Sequence, residues 1–296
     1  MISKFRIGVL VIILNFFASV AMIWGQDNPS LLQMAVPSLN IAPDARGGGM
    51  GDMGAATLPD INSQYWNAAK YAFMGSKAGV SLSYTPWLRK LVNDVALVNM
   101  TGYYKLGNSD LQAISASLRY FSLGEVNIWE NIGDVPYGLN PYEMAFDVAY
   151  SRKLSESYSM AVTLRYIRSD MGTDQNDESN AGNAFSADIS GYLEKYVLMG
   201  NAEALWSFGF NLSNIGSKIS YDGGNTNQYL PAKLTLGTGL LYPIDDYNQI
   251  GVYLDLNKYM VPYAPQKEEG ETDADYQTRV DDYKSWSSLS GMLKSF

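Results

Sequence analysis

Residues 159–166 read S-M-A-V-T-L-R-Y. Met160, Val162, Leu164 and Tyr166 take alternate positions, and Ser159, Ala161, Thr163 and Arg165 fill the places between. Alternation with period 2 marks a strand with one apolar and one polar face. The polar face decides the kind of sheet. It carries small residues and one isolated base, not the many Lys and Glu of a water-washed surface. The pattern returns in VSLSY (80–84), AISASLRY (113–120) and MAFDVAYS (144–151), and in FSADISGYL, LWSFGFNLS, KLTLGTGLLY and IGVYLDLN.

These segments predict strands over 79–85, 94–106, 111–123, 143–153, 158–169, 184–194, 204–214, 232–242 and 249–259. Short turns (GNSD, KLSES, a piece around KYVLMGNAE, PIDDYN) alternate with long connections near 124–142, 170–183, 215–231 and from 260 onward. Outer-membrane barrels alternate short periplasmic turns with long external loops in this way. Tyr84, Tyr104, Tyr120, Tyr150, Tyr166, Trp206 and Tyr242 close the apolar faces, as an interfacial girdle does. The expected fold is all-β, an antiparallel transmembrane β-barrel; a β-sandwich rich in tyrosine is the alternative.

The N-terminus sets the compartment. Lys4 and Arg6 precede an apolar run that ends near Gly25. This reads as a signal peptide over 1–25, with a single membrane anchor as the alternative. Residues 26–78 are then an N-terminal segment that plugs the barrel, and 79–296 the barrel. Nine strands are an odd number, the tail after Met260 reads as a polar loop, and SSLSGMLKSF makes only a weak tenth strand. The barrel is therefore expected to be incomplete at its C-terminus.

Composition removes several chemistries. The 296 residues include no Cys and no His, so Ser-His-Asp and Cys-His catalysis and the usual zinc and haem ligand sets are absent. The net charge of -9 argues against nucleic acid as a partner. No catalytic residue, metal site or cofactor is expected. Asp170, Asp174, Asp177 and Glu178 lack the spacing of a calcium loop and read as a solvated connection, as does the acidic run 268–282. GGGMGDMG (47–54) has the spacing of a dinucleotide loop. A poor strand precedes it, however, no βαβ unit follows, and no acid stands about 20 residues on. Its glycines are expected to serve close packing in the plug.

PDARGGGMGDMGAATLPDINSQYWNAAKYAF (43–73), GVSLSYTPWLRKLVNDV (79–95) and QAISASLRYFSLGEV (112–126) resemble the PorV family, within the wider FadL-like barrels. The wider group has a Y-W-N-P-A-like phrase where this chain has Tyr65-Trp66-Asn67-Ala68-Ala69. The resemblance implies a barrel of fourteen strands in the outer membrane, in contact with its lipid and lipopolysaccharide. It implies a non-enzymatic shuttle of the type IX secretion system. Such a shuttle takes cargo bearing a C-terminal β-domain from the translocon pore to a sortase-like surface attachment complex.

Two groups of residues are the site candidates. The connection VNIWENIGDVPYGLNPYEM (126–144) concentrates Trp129, Ile132, Tyr137, Leu139 and Tyr142, which either contact a partner or pack on the barrel's own mouth. The inward face carries Arg119, Asp147, Arg165, Asp188, Lys233 and Asp255, which can pair with one another or with Asp44, Arg46, Asp52 and Asp60 of the plug. Two other functions fit less well. An uptake channel for hydrophobic molecules needs an apolar path through the barrel. An acyl hydrolase without His needs a Ser with a Lys or carboxylate partner, and no such set is visible.

Overall fold

The computed structural model describes residues 32–87, 89–90, 94–107, 110–129, 135–173, 179–200, 202–222 and 227–295. The expected signal peptide lies outside them. Among the described residues eleven strands form: β1 (Ala78–Pro86), β2 (Val95–Leu106), β3 (Gln112–Leu123), β4 (Val126–Ile128), β5 (Tyr137–Leu139), β6 (Tyr142–Lys153), β7 (Tyr158–Thr173), β8 (Ser179–Met199), β9 (Ala202–Gly216), β10 (Lys233–Pro243) and β11 (Gln249–Tyr259). Nine make one antiparallel sheet in the order β1-β2-β3-β6-β7-β8-β9-β10-β11, and β4 pairs with β5 as a small hairpin. Every neighbour in the large sheet is the next of its strands in the chain, the pattern of an up-and-down meander. Among the described residues β1 and β11 are its two edges.

The two faces of this sheet are inverted relative to a water-soluble protein. Val80, Leu82, Met100, Leu118, Phe146, Val148, Leu164, Phe185, Val252 and Leu256 point outward and are exposed. Between them Asn99, Thr101, Ser115, Arg119, Asp147, Thr163, Arg165, Asp188 and Ser190 are buried. The register also places two aromatic levels on the outer face. Tyr104 and Tyr150 both pair with Ile114, while Tyr84 and Tyr120 both pair with Val98. Ile114 and Tyr120 are six residues apart in β3, which separates the levels by roughly 20 Å.

The N-terminal segment covers the polar face. It runs through a 3-10 turn (Pro37–Asn40), the short helices α1 (Ala45–Gly49) and α2 (Ser63–Trp66), and a second 3-10 stretch (Ala68–Phe73). Asp44 caps α1 by accepting from Gly47 N at 2.8 Å, and its other oxygen accepts from the Trp66 indole N–H at 2.7 Å. A side chain at Gly47 or Gly54 would overlap the Trp66 ring, so these glycines let the backbone close on both sides of the indole.

Apolar layers pack at both ends of the covered face. At the end with the long connections, Val36 and Leu39 meet Ala145, Ile167, Ala184, Ile219 and Leu230. At the short-turn end, Ala68, Ala69 and Tyr71 meet Tyr103, Ala113, Ala149, Ala161 and Tyr192. Tyr71 stacks on Tyr103 with centroids 4.8 Å apart.

Three expectations need correction. The tail after Met260 is not a loop or a weak strand. It holds helices α3 (Asp273–Ser285) and α4 (Ser288–Lys294). Thr272 and Ser287 cap them by accepting from Asp275 N and Ser290 N, and Arg279 binds both oxygens of Glu271 at 2.8 and 2.7 Å. Caps and local pairs thus make α3, which buries no residue. The connection expected over 170–183 is largely strand, because β7 and β8 continue to Thr173 and back to Ser179. The turn expected around KYVLMGNAE shrinks too, since β8 runs to Met199. A backbone ladder continues wherever the partner strand continues, whatever the polarity of the side chains.

Candidate functional site

The centre of the covered face is an ionic layer built around Arg165 of β7. Its Nε donates to Asp147 Oδ2 of β6 at 3.2 Å, and its Nη2 donates to Asp188 Oδ2 of β8 at 2.9 Å. Nη1 donates to Asp188 Oδ1 at 3.2 Å and to Asn214 Oδ1 at 2.5 Å. Asp147 and Arg165 face each other directly across β6 and β7. Asp188 faces Thr163 in the regular β7–β8 register, a diagonal neighbour of Arg165 on the same inner face. The β8–β9 register shifts between Ala187 and Ile189, with the extra residue in β9, and such a bulge re-aims Asn214 toward the group. Asn214 holds a left-handed φ of 59° and donates its backbone N–H to Asp188 Oδ1 at 2.7 Å. All three charged side chains are below 9% exposed, so the fork of the guanidinium must offset the cost of burying them.

The layer continues into the N-terminal segment. Gln64 Nε2 donates to Asp147 Oδ1 at 2.5 Å, and Gln64 Oε1 accepts from Ser115 Oγ at 2.6 Å. Elsewhere wall side chains bind the segment's backbone. Arg119 Nη1 donates to Ser38 O at 2.7 Å, and Glu143 Oε2 accepts from Ser38 N at 3.0 Å. Asp255 Oδ2 accepts from Gly54 N at 2.8 Å and Ala55 N at 3.0 Å. Ser207, Ser159 and Asn211 donate to Ala56 O, Ala69 O and Trp66 O. Asn67 Nδ2 bridges Ala55 O and Gly191 O, each at 2.9 Å. The Arg119 guanidinium also lies 4.6 Å from the Tyr65 ring centroid. Irregular backbone without its own ladder is satisfied in this way.

Lys70 is fully buried, and its ammonium donates to Gly54 O at 2.9 Å and Thr57 Oγ1 at 3.1 Å. Neither acceptor is charged. Burial therefore pulls its pKa down to about 8, with Asp60 opposing from a distance. Burial likewise pushes the Tyr71 phenol up, so it stays protonated as it donates to Ile61 O at 2.7 Å.

With this geometry in place, the comparison with known proteins is decisive. The family model described as "Type IX secretion system protein PorV" matches residues 25–267. The chain belongs to the PorV family. No curated protein matches it. The whole sheet and the whole described part of the inner segment fall within the PorV match, whereas α3 and α4 fall beyond its last residue.

In this PorV family member the expected charge group divides. Arg165, Asp147 and Asp188 come together. Arg119 and Asp255 bind backbone of the segment instead of opposite charges. Arg46 pairs with Asp60 inside the segment and not with the wall. Asp52 is exposed, with φ 59°. No carboxylate lies within ion-pair distance of Lys233 among the described residues.

The expected loop group divides as well. Tyr142 opens β6, stacks on Tyr120 at 5.4 Å and accepts from Arg168 Nε at 3.1 Å. Leu139 packs beside Gly172 of β7, and Tyr137 is half-buried in β5. Trp129 is 59% exposed at the end of the β4–β5 hairpin. Ile132 lies outside the described residues.

Sequence reading missed Gln64, Asn67, Lys70, Glu143 and Asn214. Lys70 carried a usable signal, a single cation inside the otherwise apolar AAKYAF. The uptake-channel reading gains nothing, because the described covered face has an ionic layer across its middle.

Proposed function

We propose that the nine-stranded sheet is wall of an outer-membrane β-barrel, with the N-terminal segment as its plug. In this reading the protein binds the C-terminal domain of secreted cargo and carries it from the translocon to the surface attachment complex. PorV family membership over residues 25–267 is the observation that carries the secretion role. The membrane placement is supported by the exposed band of Val, Leu, Ile, Phe and Met between two aromatic levels. β2, β3 and β6, of 12 residues each, are long enough to cross the hydrocarbon layer when tilted as barrel strands are. Lipid tolerates no open strand edge, so the reading requires the β1 and β11 edges to be paired in the membrane.

The end with the long connections is then the outer surface. Recognition is placed there, on loops held by a rigid wall. Among the described residues of the β4–β5 connection, Trp129 and Val135, the latter 86% exposed, are the exposed apolar groups open to a partner. Tyr142 and Leu139 serve as its footing.

The test is affinity capture from outer membranes in gentle detergent, with the full-length protein as bait. Several secreted proteins sharing a C-terminal β-domain should be recovered together. Recovery of none, with secretion unchanged in cells lacking the protein, would overturn the reading.

A further inference from the structure

Beside the ionic layer a polar chamber of about 40 Å³ remains between wall and inner segment, lined by Asn40, Arg119, Asn211, Lys233 and Asp255 with Tyr65 and Trp66. Four buried atoms of this lining, Asn40 Oδ1, Arg119 Nη2, Asn211 Oδ1 and Asp255 Oδ1, have no hydrogen-bond partner among the described residues. Arg119 is 5% exposed and Asn211 7%. The Asn211 orientation is fixed, because its Nδ2 donates to Trp66 O at 3.0 Å and leaves Oδ1 as the acceptor.

A buried donor or acceptor without a partner costs about 1–3 kcal/mol, and four together would be a heavy burden on one layer. The chemistry of the lining selects what relieves it. A cation would meet Arg119 and Lys233, and an anion would meet Asp255 with Asp147 and Asp188 close by. Only an amphiprotic, neutral molecule serves orphan donors and acceptors together. One water needs roughly 10–15 Å³ of such space and two to four polar partners.

We infer that this chamber is a built hydration site, holding roughly three ordered waters that bridge Arg119, Asn211 and Asp255. These waters add to the direct bonds that Ser207, Asn211 and Asp255 already make to the inner segment. Leu39 and Ala145 of the apolar layer around Ile167 border the chamber on one side.

A crystal structure of the full chain, with further crystals soaked in rubidium and in bromide, tests this. Two to four ordered densities should lie within hydrogen-bond distance of Arg119 Nη2, Asn211 Oδ1 and Asp255 Oδ1, without anomalous signal. A rubidium or bromide peak in the chamber, or direct pairing of the four atoms with one another, would overturn it. In solution, methyl-labelled Ala55 and Ala145, which line the chamber, should show cross-relaxation to slowly exchanging water. Its absence would count equally against the site.

Discussion

Leu164 and Arg165 are neighbours in β7, and their surroundings are opposite. Leu164 is 66% exposed, whereas Arg165 is 7% exposed and binds two carboxylates. A protein dissolved in water would place them the other way round. The difference teaches that this sheet buries its polar face under the inner segment and leaves its apolar face exposed, as the proposed membrane placement requires. What holds the inside together is hydrogen-bond geometry, and what holds the outside is the environment itself. The two faces should therefore fail in different ways.

The largest effect is expected inside. Arg165→Ala leaves Asp147 and Asp188 buried without their cation and should cost about 3–5 kcal/mol, read as a loss of denaturant resistance in micelles. Little change would mean that water already screens the layer. Outside, Leu164→Arg should cost about 2–4 kcal/mol in bilayers, while the same change at Leu198, beside a short turn, should cost about 0–1. Equal and small effects at both positions would break the comparison, because an arginine on a water-facing strand is nearly neutral.

Gly54→Ala should cost about 1–3 kcal/mol, since the added methyl overlaps Trp66 and strains the segment that Asp255 holds. A smaller effect is expected from pH. Lys70 has its folded pKa lowered to about 8 from 10.5, so below pH 8 the fold carries the full cost of a buried ammonium. That cost is relieved as pH rises from 8 toward 10.5, while the unfolded chain still holds its proton. Compared with Lys70→Met, the native protein should gain about 1 kcal/mol between pH 7 and pH 9. A difference that stays flat or falls would show that Lys70 is solvated. Smallest of all for stability is Trp129→Ala, within about 0.5 kcal/mol. If the hairpin is the partner surface, the same variant should nevertheless weaken cargo capture clearly.

The strands were legible because alternation is a local property. Each stretch such as SMAVTLRY declares its two faces without reference to its neighbours. The nine strands of the large sheet fall within a few residues of their expected limits, except where β7 and β8 outrun the polar stretch between them. The helices after Met260 were illegible for the complementary reason. Asp273–Ser285 buries no residue, so no apolar stripe marks it.

The candidate charges were legible as a set but not as pairs. Asp147 opposite Arg165 follows from register. Asn214 needed the bulge in β9, and Asp255 met backbone N–H groups that carry no signal in sequence. GGGMGDMG shows the same limit. Two of its glycines, Gly47 and Gly54, are explained by Trp66, which stands between them although it lies 12 residues past the second.

The absence of cysteine from the chain makes the central claim directly measurable. Single cysteines placed in turn at residues 160–164 and spin-labelled can be probed, in bilayers, for collision with oxygen and with a water-soluble nickel complex. The labels at Met160, Val162 and Leu164 should meet oxygen freely and nickel hardly at all, while those at Ala161 and Thr163 should be shielded from both. Strong nickel collision at Val162 and Leu164 would place that face in water and contradict the account.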